Sequence, residues 1–132
     1  MESLSPNVFV RDMQATIHFY EQIGFQVLMT VPEAREAAGG PPPVWAMLSA
    51  GNVTFMFQSF ESLAEGLPAV RREDGGSLLF YIKLKGVRAL FDVVREKVTV
   101  VHGLQKTFYG ATEFSILDNN HYVLTFAEDE AE

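Results

Sequence analysis

The chain is thinly supplied with groups that carry out covalent or metal chemistry. Its 132 residues include three histidines and no cysteine, which excludes a thiolate nucleophile, a disulfide and a thiolate metal site. No Gly-x-Ser-x-Gly elbow is present, and no serine stands near both a histidine and an acid once the strands are laid out, so no nucleophilic triad is assigned. Gly39-Gly40 and Gly75-Gly76 lack the spacing and the following helix of a phosphate loop. His18 lies in a helical stretch beside Phe19 and Tyr20, His102 precedes Gly103, and His121 sits at a hairpin turn. Each is isolated, with no second donor at metal-ligand spacing. The expectation is therefore no catalytic residue, no metal ligand and no cofactor. Glu113 would serve as a general base only in surroundings that raise its pKa, and sequence gives no such surroundings.

What remains suits the holding of a small molecule. Strand alternation places Asn7, Phe9, Thr54, Met56 and Gln58 opposite the helix-facing positions, and likewise Leu79, Tyr81, Lys83, Val123 and Thr125. Trp45 or Met47 closes one wall and Tyr109, Glu113 and Ser115 another. The expected ligand-binding set is Asn7, Phe9, Trp45, Thr54, Met56, Gln58, Tyr81, Lys83 and Glu113. Phe9, Trp45 and Tyr81 suit stacking on a planar or cationic molecule. Glu113 and Lys83 either fix a ligand's charge or pair with each other. Phe9, Met56 and Leu79 suit core packing as well as a ligand wall.

The elements that must position these residues come in two copies. Val8, Val10, Met13, Ile17, Tyr20 and Val27 recur as Ile82, Leu84, Val87, Phe91, Val94 and Val101, at a constant offset of 74 residues. Val53, Phe55 and Phe57 recur as Tyr122, Leu124 and Phe126 at an offset of 69, so the first copy is longer, most simply within Pro32 to Pro43. This period is too long for a solenoid.

Each copy reads strand, helix, strand and strand hairpin. In the first, the strands are Leu4 to Arg11, Phe25 to Val31, Val44 to Ser49 and Val53 to Gln58. Asp12 caps a helix that Gly24 ends. Ala50-Gly51-Asn52 turns a hairpin, and Glu33 to Pro43 forms the longest loop, expected to be mobile. Phe60 to Pro68 holds a short helical turn, and residues 70–76 link the copies. The second has strand Leu78 to Lys85, helix Val87 to Lys97, strand Val98 to His102, and a hairpin of Tyr109 to Leu117 and Tyr122 to Ala127. There, Asp118-Asn119-Asn120 supplies residues that tolerate positive φ.

Composition bounds the rest. Hydrophobic residues make up 48% and charged residues 20%, as in an ordinary globular chain. No apolar run reaches the length of about 18 residues that a membrane span needs, and the first residues carry no secretory pattern. The net charge is −7 with 10 Lys plus Arg, which disfavours nucleic acid as a partner. The acidic tail Glu128-Asp129-Glu130-Glu132 reads as frayed. A cytoplasmic protein is expected, without membrane partners. One copy alone leaves a sheet face and edges exposed, so the copies pair within a chain or between chains, and a homodimer is expected.

The motif Val10-Arg11-Asp12-Met13, leading into His18-Phe19-Tyr20-Glu21 and Ile23-Gly24-Phe25, resembles the opening of the vicinal oxygen chelate superfamily. That group includes glyoxalase I, bleomycin resistance proteins and extradiol dioxygenases. Glu113 to Asn120 with the strand to Phe126 resembles the family's last hairpin. The resemblance runs from Leu4 to Glu128. It implies an α+β fold of two tandem βαβββ modules, curled mixed sheets around a cleft, with modules at 4–68 and 77–128 in one domain spanning 1–132. The superfamily's metal enzymes hold a divalent ion through His, Gln or Glu at four positions, which fall here on Ser5, Leu79, Thr54 and Val123. None is a credible ligand apart from a poor Ser5. A slip of two brings in Asn7 and Gln58, still without carboxylate or imidazole. The expectation is a metal-independent small-molecule-binding protein of the bleomycin-resistance kind, its ligand aromatic or cationic. The alternative is a lyase, isomerase or dioxygenase of the same superfamily with an atypical or absent metal site.

Overall fold

The computed structural model describes residues 1–32 and 40–130; most of the loop expected over Glu33 to Pro43 lies outside the described residues. The chain forms an α+β fold of two tandem βαβββ modules, each with a four-stranded mixed sheet that does not close. The compact units run Met1–Asp74 and Gly75–Glu132.

In the first unit, β1 (Asn7–Val10), α1 (Met13–Gln22), β2 (Gln26–Val31), β3 (Trp45–Ala50) and β4 (Val53–Ser59) are followed by a short α2 (Phe60–Leu63). The sheet order is β1-β4-β3-β2, parallel between β1 and β4 and antiparallel elsewhere. Local chemistry sets the helix ends. The Asp12 carboxylate accepts from the Ala15 N–H at 2.9 Å, satisfying one of the donors a helix start leaves open. At the other end, Gly24 takes φ +111°. The Gly24 and Phe25 N–H groups donate to the Glu21 and Tyr20 carbonyls at 3.2 and 2.9 Å, the paired bonds of a left-handed helix stop. The core is aromatic. Tyr20 lies 4.7 to 5.5 Å from the rings of Phe25, Phe55 and Phe57, close enough for edge and offset attraction beyond simple burial.

The second unit repeats the plan with β5 (Leu79–Lys83), α3 (Val87–Val94), β6 (Thr99–Lys106), β7 (Ala111–Leu117) and β8 (Val123–Asp129), in the order β5-β8-β7-β6. Positions matched by the sequence repeat take matched roles. Met13 and Val87 are buried, as are Tyr20 and Val94, Phe55 and Leu124, and Phe57 and Phe126. Phe114 packs between Phe91 of α3 and Phe126, at centroid distances of 5.0 and 5.2 Å.

Several boundaries differ from expectation. The helix α3 stops at Val94 rather than Lys97, because Arg95, Glu96 and Lys97 are exposed and give the last turn nothing to bury. The strand β6 runs on to Lys106, accommodated by two register shifts that bulge it against β7. At the last hairpin the positive φ falls on His121 (+66°), not on Asp118, Asn119 or Asn120. Asp118 instead acts through its carboxylate, accepting from the Asn120 and Tyr122 N–H groups at 2.8 Å each. No helix among the described residues is long and apolar enough to cross a membrane.

Candidate functional site

Each sheet has one face against its helix and one face without a helix, and cross-strand partners share a face. In the first unit the helix-free rows are Asn7–Met56–Met47–Met29 and Phe9–Gln58–Trp45–Val31, with Thr54 opposite Ser49 beyond them. In the second they are Leu79–Val123–Leu117–Thr99, Tyr81–Thr125–Ser115–His102, and Lys83–Ala127–Glu113–Gln105. All nine residues proposed from the sequence thus lie on helix-free faces, six on the first sheet and three on the second.

The two faces differ in chemistry. The first is apolar and sulfur-rich, with one polar pair: the Asn7 amide donates to Gln58 Oε1 at 3.1 Å. Asn7 Oδ1 is buried and accepts no hydrogen bond among the described residues, a deficit of about 1–3 kcal/mol for a desolvated acceptor. The second face carries the hydrocarbon row Leu79–Val123–Leu117 and, beside it, a polar cluster centred on one carboxylate. Ser115 and Thr125 hydroxyls are 2.8 Å apart. Beside them Glu113, a residue 9% exposed, accepts through its carboxylate from Tyr81 Oη at 3.0 Å and from Tyr109 Oη at 2.8 Å. Tyr109 reaches it from the tight turn between β6 and β7, where the Thr107 N–H donates to the Ala111 carbonyl at 2.8 Å and Gly110 takes φ +85°.

This cluster makes both phenols harder to ionise than an ordinary tyrosine. Tyr81 is pushed up to about 12, first by desolvation and then by the Glu113 carboxylate it donates to. Tyr109 is also raised, chiefly by its hydrogen bond to Glu113. Ionising either phenol would set a second negative charge against the first. Lys83 does not pair with Glu113; its Nζ meets Asp129 Oδ2 at 3.2 Å at the strand end, and with both side chains well exposed that contact contributes little. Sequence reasoning placed Tyr109 beside Glu113 as a wall residue but not among the binding residues, since its reach depends on the turn. Ser115 and Thr125 were likewise placed on these faces but not among the binding residues; their hydroxyl contact depends on the pairing of β7 with β8.

Two surface hollows of about 420 and 350 Å³ lie elsewhere. One is lined by residues from the stretch between Ala64 and Glu73, among them Pro68, Val70 and Arg72, whose guanidinium donates to the Ala64 and Leu67 carbonyls at 2.9 and 2.8 Å and to those of Gly66 and Val70. The other adjoins the start of α3, where Glu128 Oε1 accepts from the Gly86 and Val87 N–H groups at 3.1 Å each. Both hollows sit where the protein satisfies its own backbone. None of the nine proposed residues lines either.

The donor set does not fit the superfamily's divalent ion. Ser5 is exposed, Leu79 and Val123 oppose each other as hydrocarbon across β5 and β8, and Thr54 faces Ser49. Asn7 and Gln58 hydrogen-bond to one another. Among the described residues no three His, Asp or Glu side chains converge on a point.

A βαβββ repeat with these helix-free faces defines a class. The family model of the Glyoxalase/Bleomycin resistance protein/Dioxygenase superfamily matches residues 4–126, and the chain belongs to that superfamily. Among solved structures it is similar to a glyoxalase/bleomycin resistance protein/dioxygenase family enzyme from Burkholderia phytofirmans, at 22% identity and TM-score 0.71, covering 95% of this chain and 96% of the other. It is similar to a bleomycin resistance determinant encoded on the transposon Tn5, at 17% identity and TM-score 0.66, covering 99% and 100%. A bleomycin-binding protein complexed with bleomycin matches at 17% identity and TM-score 0.64, covering 98% and 100%. At these identities the TM-scores show a shared fold and nothing beyond it. No curated protein matches the chain.

Proposed function

We propose that this protein binds a small organic molecule without a metal ion, in the manner suggested by its likeness to a bleomycin-binding protein. The observation that carries the reading is the Tyr81–Glu113–Tyr109 cluster on the helix-free face of the second sheet. A carboxylate held in place by two phenols, with no cation against it among the described residues, is a fixed polar group of the kind that orients a ligand. The orphaned Asn7 Oδ1 on the first sheet's helix-free face supports the same reading. Phe9, Trp45, Met47 and Met56 make that face a suitable apolar wall, and the poor fit of Ser5, Thr54, Leu79 and Val123 to a divalent cation supports metal independence.

Assembly as a homodimer belongs to the proposal. The sheet-edge strand β2 leaves Leu28, Met29 and Val31 more than half exposed, a surface that a second copy can cover. Sedimentation velocity reads this directly, and a monomer at micromolar concentration removes that part. For binding itself, thermal shift of chelator-treated protein against bleomycin, aromatic amines and divalent metals is the test. The expected result is a saturable rise in melting temperature with an organic ligand in the absence of metal. Stabilisation that requires a stoichiometric divalent ion would overturn the reading in favour of a metalloenzyme.

A further inference from the structure

Resting on that reading, we infer that Glu113, Tyr81 and Tyr109 form a subsite for a fully alkylated ammonium group, and that an amine carrying N–H donors binds there less well.

The charge comes first. Among the described residues no Lys, Arg or His pairs with Glu113, although the residue is only 9% exposed. Lys83, in the same cross-strand row, lies against Asp129 at the exposed strand end and not against Glu113. The hydrogen bonds Glu113 receives come from neutral phenols, so its negative charge is solvated but not cancelled. A cation brought near it gains Coulomb energy in a medium less screening than water.

The geometry then selects the kind of cation. A carboxylate offers about four lone-pair positions. Tyr81 occupies one on Oε2, while Tyr109 lies 2.8 Å from both oxygens. That leaves about one position open, so a primary ammonium recovers a single hydrogen bond there for the water it gives up, and a guanidinium cannot bind in a two-pronged way without displacing a phenol. A quaternary nitrogen has no hydrogen to place, leaves the phenol bonds intact, and is attracted by charge and by ring faces.

The rings are available for this. Tyr81 is 45% and Tyr109 55% exposed, so the hydroxyls are anchored while much of each ring meets solvent. Next to Tyr109, the Phe108 ring stands edge-on at 5.1 Å and is wholly exposed. An uncovered phenylalanine on a tight turn adds a third aromatic surface at the same spot.

Three small alcohols separate the possibilities by titration calorimetry on the full chain: choline, its neutral isostere 3,3-dimethyl-1-butanol, and its unmethylated counterpart ethanolamine. Choline is expected to bind about tenfold more tightly than either comparator. Glu113→Gln keeps the shape and should abolish the preference for choline over the neutral alcohol. Tyr81→Phe keeps the ring and frees a lone pair, so it should raise ethanolamine affinity relative to choline. Equal binding of the neutral isostere, ethanolamine binding at least as well as choline to the unaltered protein, or no choline binding at concentrations on the order of 10 mM would each overturn the inference. If these fail while another molecule still stabilises the metal-free protein, the subsite assignment falls and the broader reading stands; if no organic molecule stabilises it, the broader reading falls as well.

Discussion

Replacing Glu113 by Gln should release Tyr81 from the surroundings that suppress its ionisation. In the unaltered protein the surroundings push the Tyr81 phenol up to about 12, against 10.0 for an ordinary tyrosine. Desolvation is the larger cause and survives the substitution, whereas the carboxylate's charge does not. A fall of about one unit is therefore expected, equivalent to about 1.4 kcal/mol before screening. Tyr81 is 45% exposed, so the part expressed as stability is smaller than that. The sign follows from linkage. A phenol whose pKa is raised by folding contributes stability that is complete below pH 10 and is lost as pH climbs towards 12, because the unfolded chain releases its proton first. Tyrosinate absorbance during alkaline titration measures the pKa. The chain has four tyrosines, and difference curves against Tyr81→Phe and Tyr109→Phe assign the transitions. Denaturant unfolding between pH 9 and 12 should fall less steeply in Glu113→Gln than in the unaltered protein. Titration of Tyr81 near 10 in the unaltered protein, or no change in Glu113→Gln, would refute the reasoning.

Other consequences follow from the packing and the helix ends. Phe114 is fully buried between Phe91 and Phe126, so Phe114→Ala should cost about 3–5 kcal/mol in urea unfolding; a loss below about 1 kcal/mol would contradict the core assignment. Asp12→Ala removes the cap of α1 and should cost about 1 kcal/mol, read by the same measurement. Glu128, held below the usual glutamate value by the Val87 and Gly86 N–H groups, contributes stability present above pH 4.5 and lost as pH falls through its lowered pKa. Glu128→Gln should flatten that acid limb, and an unchanged acid unfolding profile would show that the cap is not maintained in solution.

Much of the architecture was legible because its signals are local or periodic. The 74-residue offset of Met13 with Val87 and of Tyr20 with Val94 marks positions that must be apolar to cover a sheet, and all four are buried. Asp12 and Gly24 mark one helix because capping depends on neighbouring backbone alone. Alternation likewise put Asn7, Phe9, Tyr81 and Glu113 on helix-free faces, since one residue of slip would have turned Phe55 and Phe114 outward. What stayed hidden depends on distant partners. Gly86 gives no hint that its helix is capped from Glu128, 42 residues on. The choice of Asp129 by Lys83 depends on where β8 ends. Tyr109 joins Glu113 only because the turn at Thr107 to Gly110 points its ring back along β7. The extension of β6 to Lys106 rests on bulges against β7, which apolar pattern does not announce.

Intermolecular nuclear Overhauser contacts between bound choline and ring-labelled tyrosines provide the most direct measurement. Contacts from the trimethylammonium protons to the rings of Tyr81 and Tyr109, disappearing in Glu113→Gln, are the predicted result. Contacts confined to Tyr20 or Tyr122, or contacts that persist undiminished in Glu113→Gln, would contradict the placement of the binding site on the second sheet's helix-free face.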